Sequence, residues 1–160
     1  MWMYQNKQYV LTERDPKKIC GFVYLVTNLV SEKKYVGKKL FWSSKSKMIQ
    51  GKRKKFKAES DWQSYYGSSD RVRTDLATLG PDKFLREILH ICYSKSECSY
   101  LETREQFNRN VLLRPSEYYN EWVTCKITRK HLKNLTENYK SSPEHASKPP
   151  VTSDLPAENK

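Results

Sequence analysis

Two short apolar runs, at positions 22–26 and 35–36, stand out near the start of the chain. Both are rich in β-branched and aromatic residues, and Asn28, Ser31 and a charged triplet lie between them. Such runs on either side of turn-forming residues are typical of two antiparallel strands joined by a short loop. A β-hairpin is therefore the first predicted element.

A helix is predicted over positions 70–79. Val72, Leu76 and Leu79 recur there at helical spacing. Ser69 stands where an N-cap is expected, and Gly80 provides the stop signal. Both ends of this helix are therefore marked in the sequence.

The stretch 84–92, FLREILHIC, alternates imperfectly and is predicted as a third strand that adds to the hairpin, with a helix as the alternative. Ser94 and Glu97 fit a capping box that opens a second helix, which runs to about Asn108. These elements indicate an α+β fold, a small three-stranded antiparallel sheet flanked by helices. Positions 121–127 could add an edge strand.

The chain has 160 residues, which suggests one domain. Positions 1–19 are predicted to be an N-terminal extension and 20–139 the folded domain, closed by a basic helix over 128–139. Positions 140–160, rich in Pro, Ser, Glu and Lys, are predicted to be a disordered tail. Without an apolar run of membrane-spanning length or a secretory signal, an intracellular protein is expected.

Positive charge is concentrated near the hairpin. The net charge is +12, and eleven lysines and arginines with no acidic residue lie between Lys33 and Lys57. A long loop is predicted over 43–57. A solvated basic loop would explain the charge, but a polyanion such as nucleic acid explains it better. The residues predicted to contact DNA are Lys38, Lys45, Lys47, Lys52, Lys54, Lys55, Lys57, Arg129, Lys130 and Lys133.

The second strand carries the first candidate chemistry. Alternation places Tyr35, Gly37 and Lys39 on one face, with Lys38 pointing the other way. A glycine between a phenol and an ammonium leaves room for a phosphodiester to approach the backbone. A nearby ammonium also lowers the pKa of a phenol, which is otherwise a poor base at neutral pH. The strands alone do not decide between Tyr24 and Tyr35 as that base.

Glu105 is the candidate carboxylate. It shares a face of the second predicted helix with Cys98 and Leu101, so it must be protonated, paired or bound to a cation. Glu102 lies one position round the helix and is expected to face solvent. The alternative is a purely structural role for Glu105, an internal ion pair with Arg104, Arg109 or Lys95.

The tyrosine-bearing triplets at 22–24 and 35–37 have their tyrosines eleven positions apart. This hairpin resembles the one that defines the GIY-YIG nucleases, although Phe22 stands where that family has glycine. The segment TREQF around Glu105 and the stretch YYGSS at 65–69 also resemble that family, in particular its phage-encoded free-standing (Seg-type) homing endonucleases.

The resemblance implies a role for each candidate residue. Tyr24 would be the general base that activates water, with Tyr35 positioning it, and Glu105 would bind Mg²⁺ or Mn²⁺. The same likeness implies that Tyr66 and Asn120 also belong to the site. Arg53, or a lysine such as Lys39, would take the role that an arginine has in the family.

The predicted function is therefore metal-dependent endonucleolytic cleavage of double-stranded DNA. A homing-type enzyme of phage origin is expected, acting in the cytoplasm of an infected bacterium, with no membrane or protein partner indicated. Phe22 and the lack of an early arginine also motivate a catalytically inactive DNA-binding protein. A basic RNA-binding protein is the third alternative.

Overall fold

The computed structural model describes residues 1–11, 19–49 and 51–128, together with positions 132 and 135. The described residues up to Ile127 belong to one compact unit. No helix among them is long and apolar enough to cross a membrane. In chain order the elements are β1 (Met3–Tyr4), β2 (Lys7–Gln8), β3 (Gly21–Asn28), β4 (Lys34–Leu40), β5 (Trp42–Ile49), β6 (Lys52–Glu59), α1 (Asp70–Leu79), β7 (Phe84–Cys92) and α2 (Lys95–Asn108).

Five strands form one mixed sheet in the order β2-β1-β7-β3-β4. The predicted hairpin is confirmed, since β3 pairs antiparallel with β4, and β7 is the expected third strand on its other side. The prediction of only three strands was wrong. β1 pairs with β7 in parallel and β2 pairs with β1, and each is 2 residues long, too short to show an alternating pattern.

The predicted long loop at 43–57 is instead a two-stranded antiparallel ribbon, made of β5 and β6. Its register runs from Trp42 opposite Glu59 to Ile49 opposite Lys52. Gly51 has a φ of 73° at the turn, a conformation that favours glycine. The sequence hid this ribbon because most of its side chains face water on both sides, so no apolar face marks the strands.

Both predicted helices form where the sequence placed them. α1 follows Ser69 and ends before Gly80. At the start of α2, the Ser94 hydroxyl accepts a hydrogen bond from the Glu97 backbone N–H at 3.1 Å. The Glu97 carboxylate in turn accepts from the backbone N–H of Tyr93 at 2.7 Å, one residue before the predicted partner. The capping box therefore fixes this helix start in a slightly shifted form.

Aromatic side chains form the core on one face of the sheet. Phe22 and Tyr24 from β3 are buried there against Trp2 and Trp62. The Trp2 indole donates a hydrogen bond to the Trp62 carbonyl at 2.7 Å. Phe22, which stands where the resembled family has glycine, packs against Trp2 with ring centroids 4.9 Å apart. Trp2 thus belongs to the core, with Tyr4, Tyr9 and Leu11 packed partly buried against it, and α2 covers the other face of the sheet.

The C-terminal end of the unit differs from expectation. Residues 121–127 form no strand, contrary to the predicted edge strand. Instead, the preceding residues run beside β4, where the Lys34 N–H donates to the Glu117 carbonyl and the Tyr119 N–H donates to the Lys34 carbonyl, both at 2.8 Å. Most of the predicted helix over 128–139, and the predicted tail from 140, lie outside the described residues.

Candidate active site

A cleft of about 330 Å³ runs along the free edge of β4. Because β4 is the last strand of the sheet, side chains from both of its faces reach this edge. The cleft is lined by Tyr35, Lys38, Ser68, Ser69, Asp70, Arg71, Glu102, Gln106, Tyr119, Asn120, Glu121, Trp122 and Thr124.

Glu102 is the carboxylate that α2 directs into this cleft. Its Oε2 accepts a hydrogen bond from the Lys38 ammonium at 2.7 Å, and its side chain is 15% exposed. The expectation that Glu102 faces open solvent was therefore wrong. A helical residue one position from the buried stripe faces water only if nothing lies beside the helix, and here the β4 edge does.

Glu105 lies elsewhere on the same helix. Its Oε1 is 2.7 Å from His90 Nε2, and its Oε2 accepts from Arg109 at 2.9 Å. Burial acts to raise the pKa of Glu105, but the hydrogen bond with His90 and the charge of Arg109 prevail and lower it. The ion pair with Arg109 that was the alternative to metal binding by Glu105 is thus present, and His90 is a partner that the sequence did not suggest.

Glu102 and Glu105 are anchored two strands apart. Lys38 lies opposite Val23 on β3, and Val23 lies opposite His90 on β7. Neighbouring strands are about 4.8 Å apart, so the backbone positions of Lys38 and His90, two strands apart, are separated by roughly 10 Å. Tyr24 projects from the opposite face of β3 to Val23. The structure therefore does not bring Tyr24, Tyr35 and Glu105 together around one point.

Tyr35 lines the cleft, as does the phenol of Tyr119. Tyr35 shares a face with Gly37 and Lys39, as predicted, and its hydroxyl lies 2.9 Å from the Ser68 hydroxyl. Burial raises the pKa of Tyr35, and the hydrogen bond to Ser68 offsets only part of that effect. Tyr35 is therefore protonated at neutral pH.

Tyr24 lies behind Tyr35 and is 1% exposed. Its ring stands opposite Gly37, whose lack of a side chain accommodates the Tyr24 hydroxyl. The room that the sequence suggested for a phosphodiester is thus filled by a phenol of the protein itself. Burial foremost, and the neighbouring phenols of Tyr35 and Tyr65, raise the pKa of Tyr24 well above its usual value.

Lys39 does not act on either phenol in the predicted way. Its ammonium donates to Asp61 at 2.7 Å and lies 3.6 Å from the ring centroid of Tyr65. Tyr65, whose ring centroid is 6.1 Å from that of Tyr24, therefore belongs to the tyrosine cluster. Tyr66, preferred from the sequence, packs instead on Phe84 and under the Arg86 guanidinium.

Asn120 completes the edge of β4. Its Oδ1 accepts from the Val36 N–H at 3.0 Å, and its Nδ2 donates to the Val36 carbonyl at 2.8 Å. Gln106 donates to the same carbonyl at 3.3 Å. A buried side chain thus takes the place of a neighbouring strand and holds Tyr35 in its position beside the cleft.

The family model described as "Putative endonuclease segE, GIY-YIG domain" matches residues 2–123. The chain belongs to this GIY-YIG family. No curated protein and no solved structure is similar enough to count as a match. The match begins at residue 2, in agreement with the packing of Trp2 into the core, and it places the chain in a nuclease superfamily.

Arg53, which the sequence suggested for the arginine role of the family, does not line the cleft of this GIY-YIG domain. Arg53 lies near the tip of the ribbon, and its guanidinium donates to Ser46 at 3.0 Å. It is six positions from Glu59 at the ribbon base, and so about 20 Å away along the strand. Arg71, at the start of α1, lines the cleft and pairs with Glu121 at 3.2 Å.

A polar cluster that the sequence did not reveal supports the cleft of the GIY-YIG domain. Tyr119 donates to Asp75 at 2.6 Å and accepts from the buried amide of Asn28 at 2.8 Å. The Asn28 carbonyl oxygen accepts from the backbone N–H of Val30 at 2.9 Å, within the hairpin loop. The cluster ties the hairpin, α1 and the segment before Asn120 together. Asn28 as a turn former was its only sequence signal.

The basic residues predicted to contact DNA lie in three places. Lys38 is in the cleft, paired with Glu102. Arg129, Lys130 and Lys133 are outside the described residues. The remaining lysines are exposed on the ribbon of the GIY-YIG domain: Lys45, Lys47, Lys52, Lys54, Lys55 and Lys57.

Proposed function

We propose that this GIY-YIG protein is a divalent-metal-dependent endonuclease that hydrolyses phosphodiester bonds of double-stranded DNA at the β4 cleft. The observation that carries the proposal is the meeting of Tyr35, Lys38 and Glu102 in one cleft. A phenol, an ammonium and a carboxylate are groups that phosphodiester hydrolysis uses.

Glu102 is proposed as the metal ligand in place of Glu105. Among the described residues, no group of three or more His, Cys, Asp or Glu could hold a metal ion. One carboxylate fits Mg²⁺ or Mn²⁺, which take their remaining ligands from water and substrate phosphate. A metal bound there would offset the negative charge that develops on the phosphate and the leaving oxygen. Glu105 has two partners, Arg109 and His90, and lies outside the cleft lining. Glu102, by contrast, has one partner within the described part of the chain, Lys38, and lines the cleft.

Tyr35 is proposed to contact the reacting groups, with Tyr24 as a positioning residue behind it. The raised pKa of Tyr35 keeps its hydroxyl protonated at neutral pH. It can therefore hold an attacking water or a phosphate oxygen by donating a hydrogen bond. A metal ion held by Glu102 would lower the pKa of a water bound to it, so that the water would lose its proton to solvent. Tyr24, the general base that the resemblance implies, reaches the cleft only through Tyr35, because it is 1% exposed.

Lys38 and Arg71 are proposed to bind the scissile phosphate. Lys38 lies beside Glu102, so an incoming phosphate would bind the Lys38 ammonium, while a metal ion held by Glu102 would offset the carboxylate charge and take a second phosphate oxygen as a ligand. Arg71 lines the same cleft, and both it and its partner Glu121 are more than half exposed, with side-chain exposures of 61% and 62%. A pair so solvated is held weakly and can give way to a phosphate. Asn120 keeps the strand beneath them in place.

A homing-type role in a phage-infected bacterium is proposed on the resemblance of the sequence to Seg-type endonucleases, with which the segE family description agrees. Cleavage of a defined site, as opposed to general digestion, would support it. Sequencing of the ends produced from phage genomic DNA tests this directly. Ends scattered without preference would contradict the homing role and leave the nuclease proposal standing.

The test of the nuclease proposal uses supercoiled plasmid with Mg²⁺ or Mn²⁺. We expect nicking by the wild-type chain and a loss of at least about 100-fold in Glu102→Gln. Tyr35→Phe should also lose cleavage while retaining DNA binding. Glu105→Gln is the matched control on the same helix and should keep cleavage at temperatures where it is folded. Equal cleavage by Glu102→Gln and the wild type would refute the site assignment.

A catalytically inactive DNA-binding protein is the second candidate. The near-complete burial of Tyr24 favours it, because a base held away from the cleft cannot take a proton from water. It predicts duplex binding without metal-dependent nicking by the wild-type chain. The same plasmid assay therefore decides between the two functions.

A further inference from the structure

The β5–β6 ribbon presents two faces of different composition. Residues opposite each other in an antiparallel pair share a face. One face, named here the lysine face, consists of eight residues of the two strands: Ser43, Lys45, Lys47, Ile49, Lys52, Lys54, Phe56 and Ala58. The other, the base face, consists of Trp42, Ser44, Ser46, Met48, Arg53, Lys55, Lys57 and Glu59.

The base face anchors the ribbon to the domain. The Trp42 indole donates to the Ile19 carbonyl at 3.3 Å, and the Glu59 carboxylate accepts from the Trp62 indole at 2.7 Å. Trp42 and Glu59 lie opposite each other at the first position of the ribbon. Counted from this pair to the turn, each strand is 8 residues long, about 26 Å, and has no fully buried side chain. The lysine face points away from these anchoring contacts.

Four lysines of the lysine face crowd together. Lys47 lies directly opposite Lys54, and Lys45 and Lys52 occupy the two diagonal positions. Like charges at these positions destabilise a two-stranded ribbon. No salt bridge to any of the four occurs among the described residues. Such a patch is suited to a polyanion, whose phosphates would replace the repulsion with attraction.

Two exposed apolar side chains accompany the lysines. Phe56 is 47% exposed and lies opposite Lys45, while Ile49 is 42% exposed and lies opposite Lys52. Apolar groups beside cations match the major groove of DNA, where thymine methyl groups lie next to base acceptors. The minor groove offers no such methyl groups.

We propose that the β5–β6 ribbon enters the major groove of duplex DNA with its lysine face toward the DNA. The inference rests on the proposed function and adds the groove and the face by which the substrate is held. The major groove, about 12 Å wide, accepts a two-stranded ribbon, whereas the minor groove, about 6 Å wide, does not. Double-stranded RNA has a deep, narrow major groove that excludes the ribbon.

Paired substitutions of equal charge test the face. Lys47→Ala/Lys54→Ala removes two charges from the lysine face, and the matched control Lys55→Ala/Lys57→Ala removes two from the base face. Affinity for a duplex is measured in EDTA on the full chain across a salt series. The loss of two phosphate contacts reduces the slope of log K against log salt concentration by about 1.8. This corresponds to about a 30-fold weaker Kd near 0.15 M salt. The sequence alone placed Lys55 and Lys57 among the DNA contacts, but their position on the base face withdraws them from that set. The control therefore loses no phosphate contact and should change the Kd by less than about 3-fold.

Groove-specific competitors test the groove. We expect methyl green, which occupies the major groove, to displace the protein, and netropsin, which occupies the minor groove, to leave it bound. Duplex DNA should also be bound more tightly than double-stranded RNA of the same sequence. Displacement by netropsin alone, equal losses in the two lysine pairs, or equal binding of RNA would each overturn the inference.

Failure of this inference is distinguishable from failure of the proposed function. If the chain binds duplex DNA and the lysine-face substitutions leave its Kd unchanged, only the assignment of the ribbon is wrong. Nicking in the presence of Mg²⁺ is then unaffected. If the chain binds no duplex under any condition, both are wrong. Circular dichroism of both double variants at the assay temperature confirms that each is folded.

Discussion

A methyl group placed at Gly37 tests the packing on which the tyrosine cluster depends. The Cβ of an alanine at this position would overlap the Tyr24 hydroxyl and lie 2.7 Å from Tyr24 Cζ and 3.0 Å from Tyr35 Cε1. The Tyr24 ring has little freedom to move aside, because Trp2 and Tyr65 pack against it with ring centroids at 5.2 and 6.1 Å. Gly37→Ala should therefore overpack the core and displace Tyr35 from the cleft.

The expected loss of stability is about 1 to 3 kcal/mol, the usual cost of overpacking a well-packed core. For a chain of this size, that corresponds to a fall in Tm of about 2 to 12 °C. Thermal and denaturant unfolding of the purified chain measure it. Cleavage should fall further than stability alone explains, because Tyr35 lines the cleft.

A double-mutant cycle with Tyr24→Phe shows whether the clash is with the Tyr24 hydroxyl. Removing that hydroxyl removes the nearest atom, so Gly37→Ala should cost less in the Tyr24→Phe background, by about 0.5 kcal/mol or more. Gly21→Ala is the control, because its Cβ would meet backbone atoms of Lys39 and Leu40 that no side-chain change relieves. An equal cost of Gly37→Ala in both backgrounds would refute the packing argument.

Two further predictions concern pH. Because the pKa of Glu105 is lowered in the folded protein, the pairing of its carboxylate stabilises the fold at pH values above the unfolded pKa of about 4.3. This stabilisation is lost as the pH falls through the lower pKa that Glu105 has in the folded protein. Glu105→Gln should lose stability at neutral pH and show a shallower further loss in acid, and identical acid profiles in denaturant titrations would contradict this. Because the pKa of Tyr24 is raised in the folded protein, protonated Tyr24 stabilises the fold below its unfolded pKa of about 10. This stabilisation is lost as the pH rises toward the higher pKa that Tyr24 has in the folded protein. Tyr24→Phe should flatten that alkaline loss, and an unchanged alkaline limb would exclude Tyr24 as its source.

The periodic elements could be predicted from the sequence because their burial is one-sided. α1 has Val72 as its buried residue, and β7 alternates clearly at its start, with Phe84 buried, Leu85 exposed and Arg86 buried. The strands β1 and β2 could not be predicted, because two residues carry no period. The ribbon could not be predicted from burial, because polar side chains on both faces resemble a loop.

The candidate site was predictable in type but not in position. An acidic residue on α2 was expected to serve the site, and the helical spacing correctly placed Glu105 on the partly buried side. Spacing alone did not show that β7 supplies His90 as a partner for Glu105, or that the β4 edge lies beside Glu102. Burial marks a residue that needs a partner, whereas a catalytic carboxylate needs an open cleft beside it.

The position of the cleft follows from how β4 ends the sheet. An edge strand exposes a row of N–H and C=O groups that would accept another strand. Here the backbone of Val36 bonds to the Asn120 side chain and that of Lys34 bonds to the segment 117–119. A complete extra strand would bury the side chains beside it and fill the cleft. A single amide satisfies the backbone in much less space, so Tyr35 and Lys38 remain accessible from opposite faces. Asn120, with Gln106, therefore satisfies the Val36 backbone without a further strand and leaves the cleft beside β4 open.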